Sequence, residues 1–276
     1  MKRIAYILIL GFFACEEVVV VDLPAPQNLI VVEGWLSDSL GRHPIRITRS
    51  NGFADKNSVI PIEDAQVLVQ SKTGEVFSYS YNIDGYYLAD ADYEGTSRAE
   101  YRVLIELDTF SIRSEWDEMP ERVLLENLQV DSFEDNDPDD PDRQITIYYP
   151  KITTPDPAGQ DNFYRWLFFK NGERFNEPEP ITIQNDRLFD GNLIPNNFQN
   201  FDYEIGDEMT VHLLSISPSS FNYLSLLRSQ ITTLGTSSGT TPAVVTGNLS
   251  YVNVPNRQVL GYFGTAAMSY GTLTVQ

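Results

Sequence analysis

The sequence predicts a mainly β protein, an antiparallel sandwich followed by a second β-rich block with one short helix. Three observations predict it. Apolar and polar residues alternate with a period of two in many short runs. These runs recur about every ten residues with turn-forming residues between them, the rhythm of a sandwich. No strand–helix–strand alternation appears, which argues against a doubly wound parallel sheet.

The chain opens with a segment of a different kind. Lys2 and Arg3 give a positive start, residues 4–13 are almost wholly apolar, and Ala14 is small. That order marks residues 1–14 as an export signal. The single cysteine of the 276 residues, Cys15, falls at the cleavage point, so we expect it to be the lipidated first residue of the mature chain. The apolar run is about half the roughly 20 residues that a spanning helix needs, and Glu16 and Glu17 end it. Anchoring by acyl chains, each buried methylene contributing about 0.8 kcal/mol, holds a protein to a bilayer without crossing it. Residues 15–25 then read as a tether stiffened by Pro24.

A first domain is expected over residues 26–120. Its strands are the runs at 28–36 (NLIVVEGWL), 43–49, 64–70, 77–81, 86–88, 101–107 and 109–116. Asn82-Ile83-Asp84-Gly85 is a turn signal between two of them. A second domain is expected over residues 121–276. Its strands are 123–133, the alternating Ile145, Ile147 and Tyr149, then 181–189, 201–205 and 208–215. Residues 162–169 (NFYRWLFF) are apolar on both faces except for Arg165, as in a central strand. One helix is predicted after Ser217, a capping residue, with Pro218 at its first position. Phe221, Leu224, Leu227 and Ile231 form its stripe, and Gly235 closes it. A Thr/Gly/Ser loop over 232–241 leads to strands at 244–245, 248–254, 258–262 and 270–275.

Charge narrows the partners. With 39 acidic and 19 basic residues the chain carries a formal charge of −20, and loss of Lys2 and Arg3 with the signal takes it to −22. Nucleic acid would be repelled, and so would anionic lipid. The hydrophobic fraction of 42% suffices for a core without disulfides, which one cysteine cannot form within a molecule.

Few residues offer chemistry. The acidic run 134–142 (EDNDPDDPD) presents Asp135, Asp137, Asp139, Asp140 and Asp142 as calcium ligands, although the glycine of an EF-hand loop is missing. A solvated loop is the plainer reading, and no metal or other cofactor is required. His43 and His212 are the two histidines, too few for a zinc site without cysteine. No G-x-S-x-G elbow, phosphate loop or dinucleotide fingerprint occurs. Glycoside hydrolysis needs only two carboxylates, and Asp186 and Asp190 in NDRLFDG are the first candidates, against the plainer reading of a turn. Trp35, Trp116 and Trp166 are scattered in sequence and define no aromatic platform.

Several stretches, in order, carry a family resemblance. They are Cys15 followed by acids and a tether, LIVVEGWLSDS at 29–39, EDAQVLV at 63–69, GYYLAD at 85–90 and AEYRVLIEL at 99–107. In the second half come NFYRWLFF, NDRLFDG, SISPSSFNYLSLL and GNLSYVNVPNRQVLGYFG at 247–264. The chain resembles the Bacteroidota lipoproteins of domain-of-unknown-function family 4249. The resemblance implies an N-terminal immunoglobulin-like or transthyretin-like sandwich and a setting beside TonB-dependent outer-membrane transporters. It supplies no catalytic residue. Glu16 and Glu17 resemble the acidic signal that sends such lipoproteins to the cell surface rather than the periplasmic face.

The function expected from the sequence is that of a non-enzymatic accessory or binding lipoprotein of the outer membrane. A surface glycan hydrolase using paired carboxylates and a purely structural envelope protein are the alternatives.

Overall fold

The computed structural model describes residues 28–50, 59–140, 142–175, 181–233, 245–254 and 257–276. The signal and tether with Cys15, the helix-closing Gly235, most of the 232–241 loop and Val244 lie outside them.

The first half contains β1 (Ile30–Ser37), β2 (Ile45–Arg49), β3 (Ile60–Pro61), β4 (Gln66–Ser71), β5 (Val76–Ile83), β6 (Tyr86–Ala89), β7 (Glu100–Leu107), β8 (Phe110–Ser114) and β9 (Asp117–Glu118). The second half adds β10 (Gln129–Asn136), β11 (Gln144–Pro155), β12 (Phe163–Lys170), β13 (Glu173–Arg174), β14 (Ile183–Asn185), β15 (Leu193–Asn197), β16 (Glu208–Ile216), β17 (Leu249–Tyr251) and β18 (Val259–Thr274). The helix α1 is Pro218–Thr233. The protein is thus mainly β, with one helix among the described residues, as the sequence predicts.

Alternation sets the faces. In β1, Ile30, Val32 and Leu36 are buried while Glu33 and Trp35 turn to the other side. Two hairpins close on residues that tolerate positive φ. Asp84 and Gly85 (φ 49° and 82°) join β5 to β6, and Asn171 and Gly172 (54° and 82°) join β12 to β13.

Fifteen strands form one sheet, in the order β13-β12-β16-β18-β1-β2-β6-β5-β4-β7-β8-β17, with β14, β3 and β9 paired to β12, β2 and β7. The sheet curls back on itself. Asn248, just before β17, donates through Nδ2 to the Phe263 carbonyl of β18 at 2.7 Å and accepts from the Phe263 N–H at 3.1 Å. A second sheet, β10-β11-β15, packs over the far end.

The sheet does not divide at residue 120, the expected domain boundary. β18 lies parallel to β1 from Ile30↔Val259 to Ser37↔Ala266. The first core holds Ile47, Val69, Tyr101 and Val103, and it is completed by Leu249, Tyr251, Val259, Phe263 and Ala267 from the C-terminal part. The second core gathers Trp166, Phe168, Phe201, Val211 and Leu213.

Several expected elements differ. Residues 123–128 are not strand. The Val123 N–H donates to Ser215 Oγ at 3.3 Å and the Leu125 N–H to Ser269 Oγ at 2.8 Å, so hydroxyls replace a ladder there. Of the expected 134–142 loop, Glu134, Asp135 and Asn136 belong to β10. In the 181–189 run only β14 is strand, and a turn follows it. At 201–205 there is a single bridge, Tyr203 to Tyr148. The 258–262 and 270–275 runs are one strand, β18, because its glycines and Ala266-Ala267 conceal the pattern without breaking the ladder. On α1, Leu224 is buried as expected, but Ile231 is 50% exposed.

Candidate functional site

The face of β1, β2, β6, β12, β16 and β18 opposite the first core is partly covered by α1. Ile216, Leu224 and Ala266 seal that contact. Beside the helix the face is open and forms a groove of about 470 Å³, within the range of about 300–1,000 Å³ usual for small ligands.

Strand register brings its lining together. Glu33 on β1 is the partner of Arg46 on β2, and Arg46 is the partner of Tyr86 on β6. Arg46 lies over the Tyr86 ring at 4.9 Å, and its Nε donates to the Asp84 carbonyl at 3.3 Å. Across the groove, Arg165 lies over the Trp35 indole at 5.5 Å. Trp35 leans on Tyr262 at 5.9 Å, and Tyr262 stacks on Tyr223 of α1 at 4.7 Å. Gly264 makes room for this, since a Cβ there would sit 2.8 Å from Trp35 Cζ3. Burial pushes the Tyr223 hydroxyl up, with Glu33 adding to the shift and Arg165 opposing it. Leu167 and Leu214 add apolar lining, and Arg174 also borders the groove.

The second arrangement involves the carboxylates singled out in the sequence. Asp186 and Asp190 do come together, and Asp156 joins them. Their ligand atoms lie within 4.8 Å of one another, the one such group of three or more among the described residues. Asp186 is 2% exposed and accepts from the Asn162 N–H at 2.8 Å. Asp156 accepts from the Tyr164 hydroxyl at 2.5 Å and the Gly191 N–H at 3.0 Å. Asp190 accepts from the Gly159 N–H at 2.7 Å. Burial, with Asp156 as a neighbouring negative charge, lifts the Asp186 carboxyl above the usual range. The bonds knit the loops after β11 and β14. The cluster also has the oxygen chemistry to hold a hard cation.

The five acids proposed for calcium are not gathered at one point. Asp135 accepts from the next N–H at 2.8 Å, Asp137 pairs with Arg143 at 3.5 Å and caps Asp139 N–H at 2.9 Å, and Asp140 accepts from Asp142 N–H at 3.3 Å. His43 donates through Nε2 to the Tyr93 carbonyl at 2.8 Å, while its Nδ1 accepts from the Ser37 N–H at 3.4 Å. His212 faces away from Val211 and Leu213 as expected, between Phe169 and Tyr270. Burial lowers the pKa of both histidines.

Sequence reasoning missed Asp156 and the groove. One signal for the groove was present: Arg165 as the single charge in NFYRWLFF. Trp166 is core and Trp116 lies under Arg102 at 4.3 Å, so Trp35 alone of the three tryptophans lines the groove.

Fold and groove together define a mainly β protein with an arginine- and aromatic-lined depression on one sheet face. The chain belongs to the family described as a domain of unknown function (DUF4249), whose model matches residues 16–270. Comparison with curated proteins finds no match.

Proposed function

We propose that this protein is a lipid-anchored, non-enzymatic binding module of the outer membrane, displayed on the cell surface beside a TonB-dependent transporter. The observation that carries the binding role is the groove, where Arg46 lies on its register partner Tyr86 and Arg165 lies over Trp35. The anchor rests on the order of Lys2, Arg3, the apolar run, Ala14 and Cys15. The resemblance supports the transporter setting. Hydrolysis through Asp186 and Asp190 has weaker support, because Asp186 is buried and engaged by a backbone N–H. A purely structural role leaves the groove without a use.

Native extraction in mild detergent tests the setting. The expected result is co-purification with a membrane receptor. Recovery as a lone monomer at every detergent strength contradicts it.

A further inference from the structure

We propose that the free half of β11 is a docking edge for an extended basic segment of a partner protein, which pairs its backbone with Gln144 and Thr146. This goes beyond the binding-module reading and rests on neither the groove nor the anchor.

The ladder is the first argument. β11 pairs with β10 along one side without a break, from Lys151↔Gln129 to Gln144↔Asn136. Its other side is covered only in part. β15 pairs with Lys151 to Pro155, and the Phe198 N–H donates to the Pro150 carbonyl at 3.0 Å. Tyr203 and Tyr148 then exchange backbone bonds of 2.9 and 3.3 Å. Continued in the same register, Ile205 would face Thr146, but the chain turns away first. The Glu204 N–H donates to Asp207 Oδ2 at 2.8 Å and the Gly206 N–H to the Val275 carbonyl at 2.9 Å. Backbone groups of a strand alternate between its two sides, so those of Thr146 and Gln144 point the same way as those of Tyr148. Among the described residues no strand pairs with them there. A cleft of about 910 Å³ opens between this edge and residues 202–205.

The outer edge of β10 makes a contrast. Its Ser132 and Asn136 N–H groups are taken up by the side chains of Asp131 and Asp135, at 2.9 and 2.8 Å. No side chain among the described residues caps the Gln144 or Thr146 N–H in this way. An open edge of this kind accepts an added strand.

Charge selects the occupant. Among the described residues the acids of the cleft, Asp135, Asp202 and Glu204, form no ion pair. Its two cations are both engaged, Arg143 with Asp137 at 3.5 Å and Lys170 with Asp207 at 2.9 Å. A basic strand therefore meets attraction and an acidic one repulsion. Ile205, 68% exposed, adds an apolar wall for the aliphatic residues between the basic ones.

Three blocked pentapeptides test this: one alternating lysine and valine, one with glutamate in place of lysine, and the lysine peptide methylated on every backbone nitrogen. Each is titrated into the full mature chain in detergent and followed by amide NMR shifts. The expected result is saturable binding of the lysine peptide, with shifts at residues 144–148 and 203–205. The other two should bind at least tenfold more weakly. Thr146→Pro removes a donor from the free edge and spares the bonds to β10, which leave from the alternate residues. It should weaken the lysine peptide at least tenfold. Asp202→Lys combined with Glu204→Lys should do the same, and Glu115→Gln, outside the cleft, should change nothing. If Thr146→Pro does not fold by thermal melt, the charge variant decides alone. Equal binding of the lysine peptide and either of the others, unchanged affinity in the edge or charge variants, or no saturable binding in the millimolar range overturns the proposal. The titration reads neither lipid nor groove, so its failure and the failure of the binding-module reading are separate results.

Discussion

Ser217 Oγ donates to Asp117 Oδ1 at 2.6 Å, joining residues one hundred positions apart. The same hydroxyl oxygen accepts from the Ser220 N–H at 3.1 Å, so the cap of α1 is itself held by a buried carboxylate. Asp117 also accepts from the Thr265 N–H at 2.7 Å and from the hydroxyls of Ser219, Ser220 and Thr265. One side chain on β9 thus fixes the start of α1 to β18.

Asp117→Ala removes the acceptor for all of these donors. Buried donors left unpaired cost about 1–3 kcal/mol, and loss of support for the cap adds about 1 kcal/mol. The expected destabilisation is about 2–4 kcal/mol, read by urea denaturation.

Asp117 also makes a pH prediction. Burial raises its carboxyl pKa, and the hydrogen bonds from Ser217 and Thr265 oppose the rise. The folded state therefore holds this proton more tightly than the unfolded chain. Its contribution is fully present below the unfolded value and is lost as pH rises through the folded one. Relative to Asp117→Asn, the parent should gain stability as pH falls from 7 toward 4. A difference that does not vary with pH, measured by thermal melts of the two proteins, contradicts this.

Gly261 stands where β18 runs beside β1. Its φ is +94°, and a Cβ would lie 1.9 Å from the Val32 carbonyl oxygen. Gly261→Ala cannot keep the parallel ladder without moving backbone. We expect a loss of about 3 kcal/mol, from overpacking and left-handed strain together, seen as a fall in melting temperature.

Tyr164→Phe isolates the bond to Asp156. Tyr164 is buried, and its hydroxyl donates to Asp156 Oδ1 at 2.5 Å. Removing a charge-assisted bond of this kind should cost about 1.5–3 kcal/mol, measured by denaturant titration. The loops holding Asp186 and Asp190 should then exchange amide protons faster than in the parent.

The strands of the first half were legible because each writes its burial into a period of two. Val67 and Val69, or Val103 and Ile105, are buried on the face their spacing assigns. β18 was read as two pieces because Gly261, Gly264 and Gly271 interrupt the apolar pattern where close approach to neighbours requires them. Local periodicity also carries no trace of pairing between Ile30 and Val259, so the shared sheet was invisible. Asp186 and Asp190 were legible as a pair through their spacing, whereas Asp156 joins them only through the fold. The groove was illegible for the same reason, since Trp35, Arg46, Tyr86 and Arg165 meet across four strands.

The anchored binding module stands or falls most directly on Cys15. Cells grown with a palmitate analogue should label the parent protein and hold it in the membrane fraction, while Cys15→Ala should be unlabelled and released by washing. A Cys15→Ala protein that is labelled and retained as firmly as the parent contradicts the account.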